Sequence, residues 1–222
     1  MKHRQATCTP PRQVRPPRDD PGKCMNLALF DFDGTITTRE TFPDFMRFAV
    51  APRRRAIGGV LLAPLVVGYR LGLVPGKVIR AVVVRVGLGG RRETEIRAAG
   101  ERFARDVLPA LVRPEALERI AWHRAQGDEV VVVSGGLELY LEAWCGQHRL
   151  SLIASRLEVR DGRLTGRYDD ADCVGAEKSR RVRARYRLDD YAQVFAYGDT
   201  HEDHAMLALA HRRWFRWREL AA

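Results

Sequence analysis

Two aspartates spaced two residues apart follow a short apolar run near the start of the chain. The run covers residues 27–30, and Asp31 and Asp33 come directly after it, before Gly34 and Thr35. An apolar run of this length that ends at a glycine turn predicts a buried parallel strand, and side chains at i and i+2 of a strand point to the same side. We therefore expect both carboxylates at the carboxyl end of a strand, where open α/β sheets bind their ligands. Because two carboxylates this close repel each other, the site is expected to hold a cation or a shared proton.

The elements that must position these carboxylates alternate between strands and helices after residue 128. Apolar or β-branched runs predict strands over residues 129–133, 152–154, 194–197 and 213–217, the last at an edge of the sheet. Asp161-Gly162 predicts a hairpin turn, and helices are predicted over residues 137–147, 176–187 and 204–210. This alternation predicts an α/β fold with a Rossmann-like parallel sheet and right-handed crossovers.

The interval between the first strand and residue 129 has a helical pattern instead. Prolines near helix starts and glycines near helix ends divide it into segments over residues 42–49, 53–73, 75–88, 93–111 and 114–126. We therefore predict an α/β core made of residues 25–36 and 127–222, with an inserted α-helical domain over residues 37–126.

Composition and charge limit the class of partner. The 222 residues are 45% hydrophobic, enough for one substantial core, and a net charge of +10 favours anionic partners. The four cysteines form no C-x-x-C pair, so we expect free thiols in a reducing cytoplasm. Residues 1–24 are rich in proline, lysine and arginine without apolar periodicity, and we expect a disordered basic tail.

The stretch D-F-D-G-T at residues 31–35 resembles the first signature of the haloacid dehalogenase superfamily. The resemblance implies that Asp31 is a nucleophile that accepts phosphate and that Asp33 is the general acid and base. The chemistry agrees with this spacing, because a carboxylate attacks phosphorus only when a cation shields its charge, and the leaving alcohol needs a proton. Thr35 is expected to hydrogen-bond the phosphate or the turn.

Three later stretches resemble the remaining signatures of that superfamily, in the same order along the chain. V-V-V-S-G-G at residues 131–136 implies that Ser134 binds a phosphate oxygen, with the Gly135 N–H at a helix start as a second donor. C-V-G-A-E-K at residues 173–178 implies that Lys178 neutralises the phosphate and the nucleophile. Y-G-D-T-H-E-D at residues 197–203 implies that Asp199 binds a metal and that Asp203 supports the site from the next turn.

The resemblance implies Mg²⁺ as the cofactor, since Mg²⁺ prefers carboxylates together with water and substrate phosphate. The implied ligands are Asp31, Asp33 through its backbone carbonyl, and Asp199. The implied activity is that of a phosphomonoester hydrolase that works through an aspartyl-phosphate. A signalling receiver domain also phosphorylates an aspartate beside Mg²⁺ and lysine, but it lacks the second aspartate and a helical insertion.

A helical insertion after the first strand resembles the C1 cap of the phosphoserine-phosphatase-like subfamily IB. In that branch an acidic residue follows the nucleophile by nine positions, and Glu40 occupies this place as an implied substrate-facing residue. The sequence contains no clear counterpart of the arginine that binds the serine carboxylate, and the insertion is more apolar than a serine-binding cap requires.

Residues 56–69 form a run of 14 residues without a charge, between Arg53-Arg54-Arg55 and Arg70. A membrane-spanning helix needs about 20 apolar residues. We predict a buried helix of the insertion. The alternative is an interfacial helix on the inner face of an anionic membrane, with Lys77 and Arg80 continuing the basic flank.

The substrate class stays open between a soluble phosphomonoester and a lipid phosphate. The apolar run, the C-x-G-x-E-K stretch and the aromatic and basic residues 211–217 resemble the phosphatidylglycerophosphatase C-like group. The charge alone also allows a non-catalytic nucleic-acid binder, whose affinity would be sensitive to salt and would survive loss of Asp31. The catalytic pattern favours the enzyme, so we do not expect a nucleic-acid partner.

Overall fold

A computed structural model describes residues 25–221, so the predicted tail over residues 1–24 lies outside the described part of the chain. The central sheet has six strands, β1 (Leu27–Phe30), β2 (Glu129–Leu137), β3 (Ser151–Ser155), β6 (Val194–Gly198), β7 (Arg212–Phe215) and β8 (Arg218–Leu220). Their order across the sheet is β3-β2-β1-β6-β7-β8. All neighbours pair in parallel except β8, which is antiparallel to β7. The predicted α/β fold with a mostly parallel sheet is confirmed.

Strand β1 lies at the centre of the sheet because both of its faces are apolar. Leu27 and Leu29 belong to the core on one face, whereas Ala28 and Phe30 belong to the core on the other. All four side chains are buried, as expected for a parallel strand that is covered on both sides. The ring of Phe30 stacks on Tyr197 of β6 with centroids 4.2 Å apart. This packing fixes the position of the carboxyl end of β1, after which Asp31 follows.

Five α-helices follow β1 before the chain returns to the sheet. They are α1 (Phe42–Ala49), α2 (Pro52–Arg70), α3 (Gly76–Leu88), α4 (Glu93–Asp106) and α5 (Pro114–Ala125). Helix α4 packs against α6 (Glu138–His148), which follows β2. The chain between α3 and α4 also pairs with the hairpin strand β5 (Arg163–Tyr168), since Gly90 N–H donates to Leu164 O at 2.7 Å. The predicted hairpin is present, with β5 antiparallel to β4 (Leu157–Arg160).

Helix α5 packs on the sheet through a buried histidine. The His123 ring contacts Phe30 and Tyr197 edge-on, and its Nε2 lies 2.9 Å from the Tyr197 hydroxyl. Its Nδ1 lies 2.7 Å from Asp128 Oδ2, and Asp128 Oδ1 accepts a hydrogen bond from the Asn26 side chain at 2.9 Å. The boundaries predicted for the core and the insertion stay predictions, and these contacts favour grouping α5 with the core.

Two sequence predictions about the sheet are wrong in detail. Strand β2 does not end at Ser134 but continues to Leu137, with an irregular register against β3 after Ser134, so α6 begins only at Glu138. Gly135 and Gly136, which lie beyond the strand predicted over residues 129–133, are part of β2. Strand β7 was predicted as the edge, but β8 pairs with it and forms the edge.

The prediction that residues 56–69 form a buried helix is also wrong. Helix α2 covers this stretch, yet Ile57, Val60 and Leu61 are 63%, 77% and 67% exposed. Its contacts are mainly with α3, where Arg54 donates to the Val86 and Gly89 carbonyls at 2.7 and 2.6 Å. A helix with one neighbour leaves most of its apolar surface uncovered. Within residues 25–221, no helix is both long and apolar enough to cross a lipid bilayer.

Candidate active site

Three neighbouring strands bring the predicted site residues to one edge of the sheet. Asp31 follows β1, Ser134 lies in β2, and Asp199 follows β6. In the register of the sheet, Phe30 lies beside Val132 on one side and Tyr197 on the other. The three polar residues therefore lie at about the same level along the sheet, near the carboxyl ends of its parallel strands.

Lys178 of helix α7 (Ala176–Arg185) links two of the carboxylates. Its Nζ donates to Asp31 Oδ1, and it lies 2.6 Å from Asp203 Oδ1. Burial alone would lower the pKa of Lys178, but the two carboxylates outweigh burial and raise the pKa. Burial raises the pKa of Asp31 well above its ordinary value, although Lys178 opposes this change. The predicted neighbourhood of Asp31, Lys178 and Asp203 is present in the structure.

Asp203 holds the loop that carries Asp199. Its Oδ2 accepts hydrogen bonds from the backbone N–H groups of Asp199 and Thr200, both at 3.0 Å, and lies 3.2 Å from the Thr200 hydroxyl. Its Oδ1 accepts from Lys178. Both oxygens of this fully buried carboxylate are therefore engaged by protein donors. Asp203 fixes the geometry of the loop and of Lys178 together.

Asp33 is held by Thr41, which is not among the residues predicted from the sequence. Its Oδ1 accepts hydrogen bonds from the Thr41 N–H at 2.8 Å and from the Thr41 hydroxyl at 2.5 Å. The Thr41 oxygen also lies 3.0 Å from the Tyr140 hydroxyl. Burial raises the pKa of Asp33, and the bonds from Thr41 oppose this change. A threonine directly before a helix is common, so nothing in the sequence indicates this contact.

Thr35 and Ser134 lie at the site with defined partners. The Thr35 hydroxyl donates to Asp199 Oδ1 at 3.3 Å, and Ser134 Oγ accepts from the Gly136 N–H at 2.9 Å. Gly135 is three residues ahead of α6, so its N–H does not lie at a helix start as predicted. Gly34 has φ +81°, and a Cβ there would lie 2.2 Å from Asp199 Oδ2. Only glycine fits where the turn after Asp33 meets the Asp199 loop.

Glu40 lies in the loop that leads to α1 and is solvent-exposed. Partial burial of its carboxyl raises its pKa, and so does the charge of Asp33, whereas Arg80 opposes both. The structure thus brings Glu40 near the predicted site. It also brings in Arg80 of α3, which contacts Gly135 and is not part of the basic flank of an interfacial helix alone.

The cluster of carboxylates fits a hard divalent cation. Ligand atoms of Asp31, Asp199 and Asp203 all lie within 4.8 Å of one another. Burial raises the pKa of both Asp31 and Asp199, and Lys178 is the ammonium in contact with this cluster. Burial disfavours the charged form of these carboxylates, and a bound cation would favour it. Carboxylate oxygens are also the ligands that Mg²⁺ prefers. This cluster contains two of the predicted ligands, Asp31 and Asp199, and adds Asp203. The third predicted ligand is the backbone carbonyl of Asp33, whose carboxylate is bound by Thr41.

Comparisons with known proteins agree with this arrangement. A sequence profile described as haloacid dehalogenase-like hydrolase matches residues 28–208. Protein CicA of Caulobacter vibrioides (strain NA1000 / CB15N) is 33% identical over 204 residues, which cover 91% of this chain and 90% of CicA.

Solved structures share the fold at lower identity. A protein of unknown function from Bordetella pertussis Tohama I superposes with a TM-score of 0.73 at 24% identity, over 86% of this chain and 89% of that one. A phospho-aspartyl intermediate analogue of phosphoserine phosphatase superposes with a TM-score of 0.59 at 23% identity, over 86% of both chains. These structures establish the fold, and the profile covers most of the chain. The protein therefore belongs to the haloacid dehalogenase-like hydrolase family.

Proposed function

We propose that the protein is a Mg²⁺-dependent phosphomonoester hydrolase that forms a phosphoryl intermediate on Asp31. The observation that carries this proposal is the buried Asp31 carboxylate at the end of β1, held by Lys178, with Asp33 two residues further on. A carboxylate that is fixed in place and neutralised by an ammonium is suited to approach a phosphate dianion.

In the first half of the reaction, a carboxylate oxygen of Asp31 attacks phosphorus and the bond from phosphorus to the ester oxygen breaks. The protonated Asp33 gives its proton to that leaving oxygen. Burial raises the pKa of Asp33, which favours the protonated form that this step requires. Thr41 binds Asp33 Oδ1 and so fixes the orientation of the carboxyl group. The other oxygen, Oδ2, is the one proposed to carry the proton.

In the second half, the Asp33 carboxylate takes a proton from a water molecule, and the oxygen of that water attacks the phosphorus of phospho-Asp31. The bond from phosphorus to Asp31 breaks, which restores the carboxylate and releases inorganic phosphate. Ser134, Thr35, the Gly135 N–H and Lys178 are the proposed phosphate ligands. Asp31, Asp199 and the Asp33 backbone carbonyl would hold Mg²⁺, which would offset the charge between nucleophile and phosphate.

Turnover of a soluble aryl phosphate tests the reaction class. We expect hydrolysis in Mg²⁺ that stops in excess chelator and in Asp31→Asn, because the amide cannot form the acyl-phosphate. Asp161→Asn changes an exposed hairpin residue in the same way and serves as the control. Activity that survives in chelator or in Asp31→Asn would exclude the proposed chemistry.

The substrate is proposed to be a lipid phosphate such as phosphatidylglycerophosphate, because α2 leaves apolar side chains exposed between Arg53-Arg54-Arg55 and Arg70. Its apolar side chains remain exposed, as do Leu71 and Leu73, which are 68% and 76% exposed beyond its end. Residues 45–92 carry ten lysines or arginines and no acidic residue, which complements an anionic membrane. Helix α2 packs on α3, and α3 contacts Gly135 through Arg80, so the apolar surface lies one helix away from the site.

Liposome flotation separates this proposal from a soluble phosphomonoester as substrate. We expect the protein to float with anionic vesicles and not with neutral ones, and Val60→Asp/Leu61→Asp to remove flotation. Leu117→Asp, at an exposed apolar residue of α5, is the matched control. Absence of flotation together with faster turnover of soluble esters would favour the soluble substrate.

A further inference from the structure

Arg80 of α3 extends from the helical insertion into the core beside the candidate site. Its side chain is 20% exposed, and its guanidinium carbon lies 5.1 Å from the centroid of the Phe42 ring. A Cβ placed on Gly135 would lie 3.3 Å from one guanidinium nitrogen of Arg80, so the guanidinium packs directly on this glycine. An arginine buried this far is usually fixed by specific partners.

One peptide unit connects Arg80 with Ser134. Arg80 donates a hydrogen bond to the Gly135 carbonyl, and the N–H of the same peptide unit, that of Gly136, donates to Ser134 Oγ at 2.9 Å. The plane of this peptide therefore fixes both contacts together. Because Ser134 Oγ accepts from Gly136, its own proton remains available for an oxygen of a bound phosphate.

Asp172 holds Arg80 in this position. Asp172 Oδ2 lies 3.2 Å from Arg80 Nε, and its Oδ1 accepts from Ser155 Oγ at 2.6 Å. Ser155 Oγ is also 3.0 Å from the Gly135 carbonyl oxygen and accepts from the Cys173 N–H at 3.0 Å. Asp172 Oδ2 is buried, and the ion pair with Arg80 balances its charge.

We propose that Arg80 is a positioning residue, which orients Ser134 for phosphate binding through the Gly135–Gly136 peptide. It does so when α3 packs against the core. Asp172 keeps the guanidinium against that peptide. The consequence is that a helix of the insertion completes the phosphate site of the core. The proposal rests on the proposed function only in taking phosphate as the ligand of Ser134.

The test is a double-mutant cycle between Arg80 and Ser134, read by the affinity for inorganic phosphate in Mg²⁺ measured by calorimetry. Arg80→Lys keeps the charge but loses the forked guanidinium that reaches Asp172 and Gly135 together. We expect roughly a tenfold loss of phosphate affinity, the size expected for one hydrogen bond to a bound ligand. In the Ser134→Ala background, Arg80→Lys should cause little further loss, because both changes remove the same contact.

Arg85→Lys is the matched control, since Arg85 is exposed on the same helix, and it should leave phosphate affinity unchanged. If Arg80→Lys does not fold, Asp172→Asn loosens Arg80 without removing it and should show the same dependence on Ser134. Equal losses in both backgrounds would mean a general structural role and would overturn the proposal, as would a wild-type protein that binds no phosphate. Phosphate binding without ester hydrolysis would refute the proposed function and leave this inference standing.

Discussion

Replacing Lys178 with methionine is the perturbation whose effect on stability follows most directly from the structure. The Lys178 side chain is 4% exposed, and its ammonium contacts the carboxylates of Asp31 and Asp203, whose side chains are 7% and 0% exposed. Methionine has a similar length and no charge, so Lys178→Met leaves both carboxylates buried without their cation. Removing one partner of a buried ion pair costs about 3–5 kcal/mol. We expect the free energy of unfolding to fall by an amount in this range.

Urea unfolding at pH 7 in the presence of chelator measures this loss, because chelator removes any divalent cation that could replace the ammonium. Arg180→Met on the same helix is the control, since Arg180 forms exposed ion pairs with Asp170 and Glu177. Exposed ion pairs contribute little to stability. A loss for Lys178→Met no larger than that for Arg180→Met would refute the account of this buried cluster.

Three further predictions concern the metal, the general acid and a buried histidine. Mg²⁺ at a hundred times its Kd should stabilise the wild type by about 2.7 kcal/mol, measured as a rise in Tm. The rise should be smaller for the wild type in Ca²⁺ and for Asp199→Asn in Mg²⁺. Equal rises in Tm under all three conditions would contradict a Mg²⁺ site at Asp199. Thr41→Val should lower kcat at least about tenfold by releasing Asp33, whereas Thr41→Ser keeps the hydroxyl, so equal rates for the two variants would exclude a role for this contact. Burial lowers the pKa of His123, so the unfolded chain binds a proton first as pH falls below about 6.5 and stability is lost with a slope of up to about 1.4 kcal/mol per pH unit. Urea unfolding from pH 7 to pH 5 should show a flatter profile for His123→Asn than for the wild type or for the exposed control His204→Asn; equal slopes would assign the effect to other groups.

The sequence predicted the parallel sheet and the meeting of its polar strand ends because both depend on local patterns. The apolar run before Asp31 and the β-branched run before Ser134 each specify a buried strand without reference to the rest of the chain. The Gly135-Gly136 pair was misleading, because glycine usually interrupts a strand. Here the pair continues β2 and leaves room for Arg80, which packs on Gly135.

The contacts of the helical insertion could not be predicted, because they join residues far apart in the sequence. Arg80 and Asp172 are 92 positions apart in the sequence, and no spacing relates them. The exposure of α2 has a similar origin, since an apolar helix is buried only where a second element covers it. The sequence of residues 56–69 specifies the apolar helix but not the number of its neighbours.

The most direct test of the central claim is to trap and locate the phosphoryl group. Asp33→Asn removes the base that activates water, so the intermediate should accumulate when this variant is mixed with an aryl phosphate and Mg²⁺. After acid quenching, tandem mass spectrometry of the digested protein identifies the modified residue. We predict phosphate on Asp31 and on no other residue, and none in Asp31→Asn/Asp33→Asn. Phosphate on a different side chain would contradict the proposed mechanism.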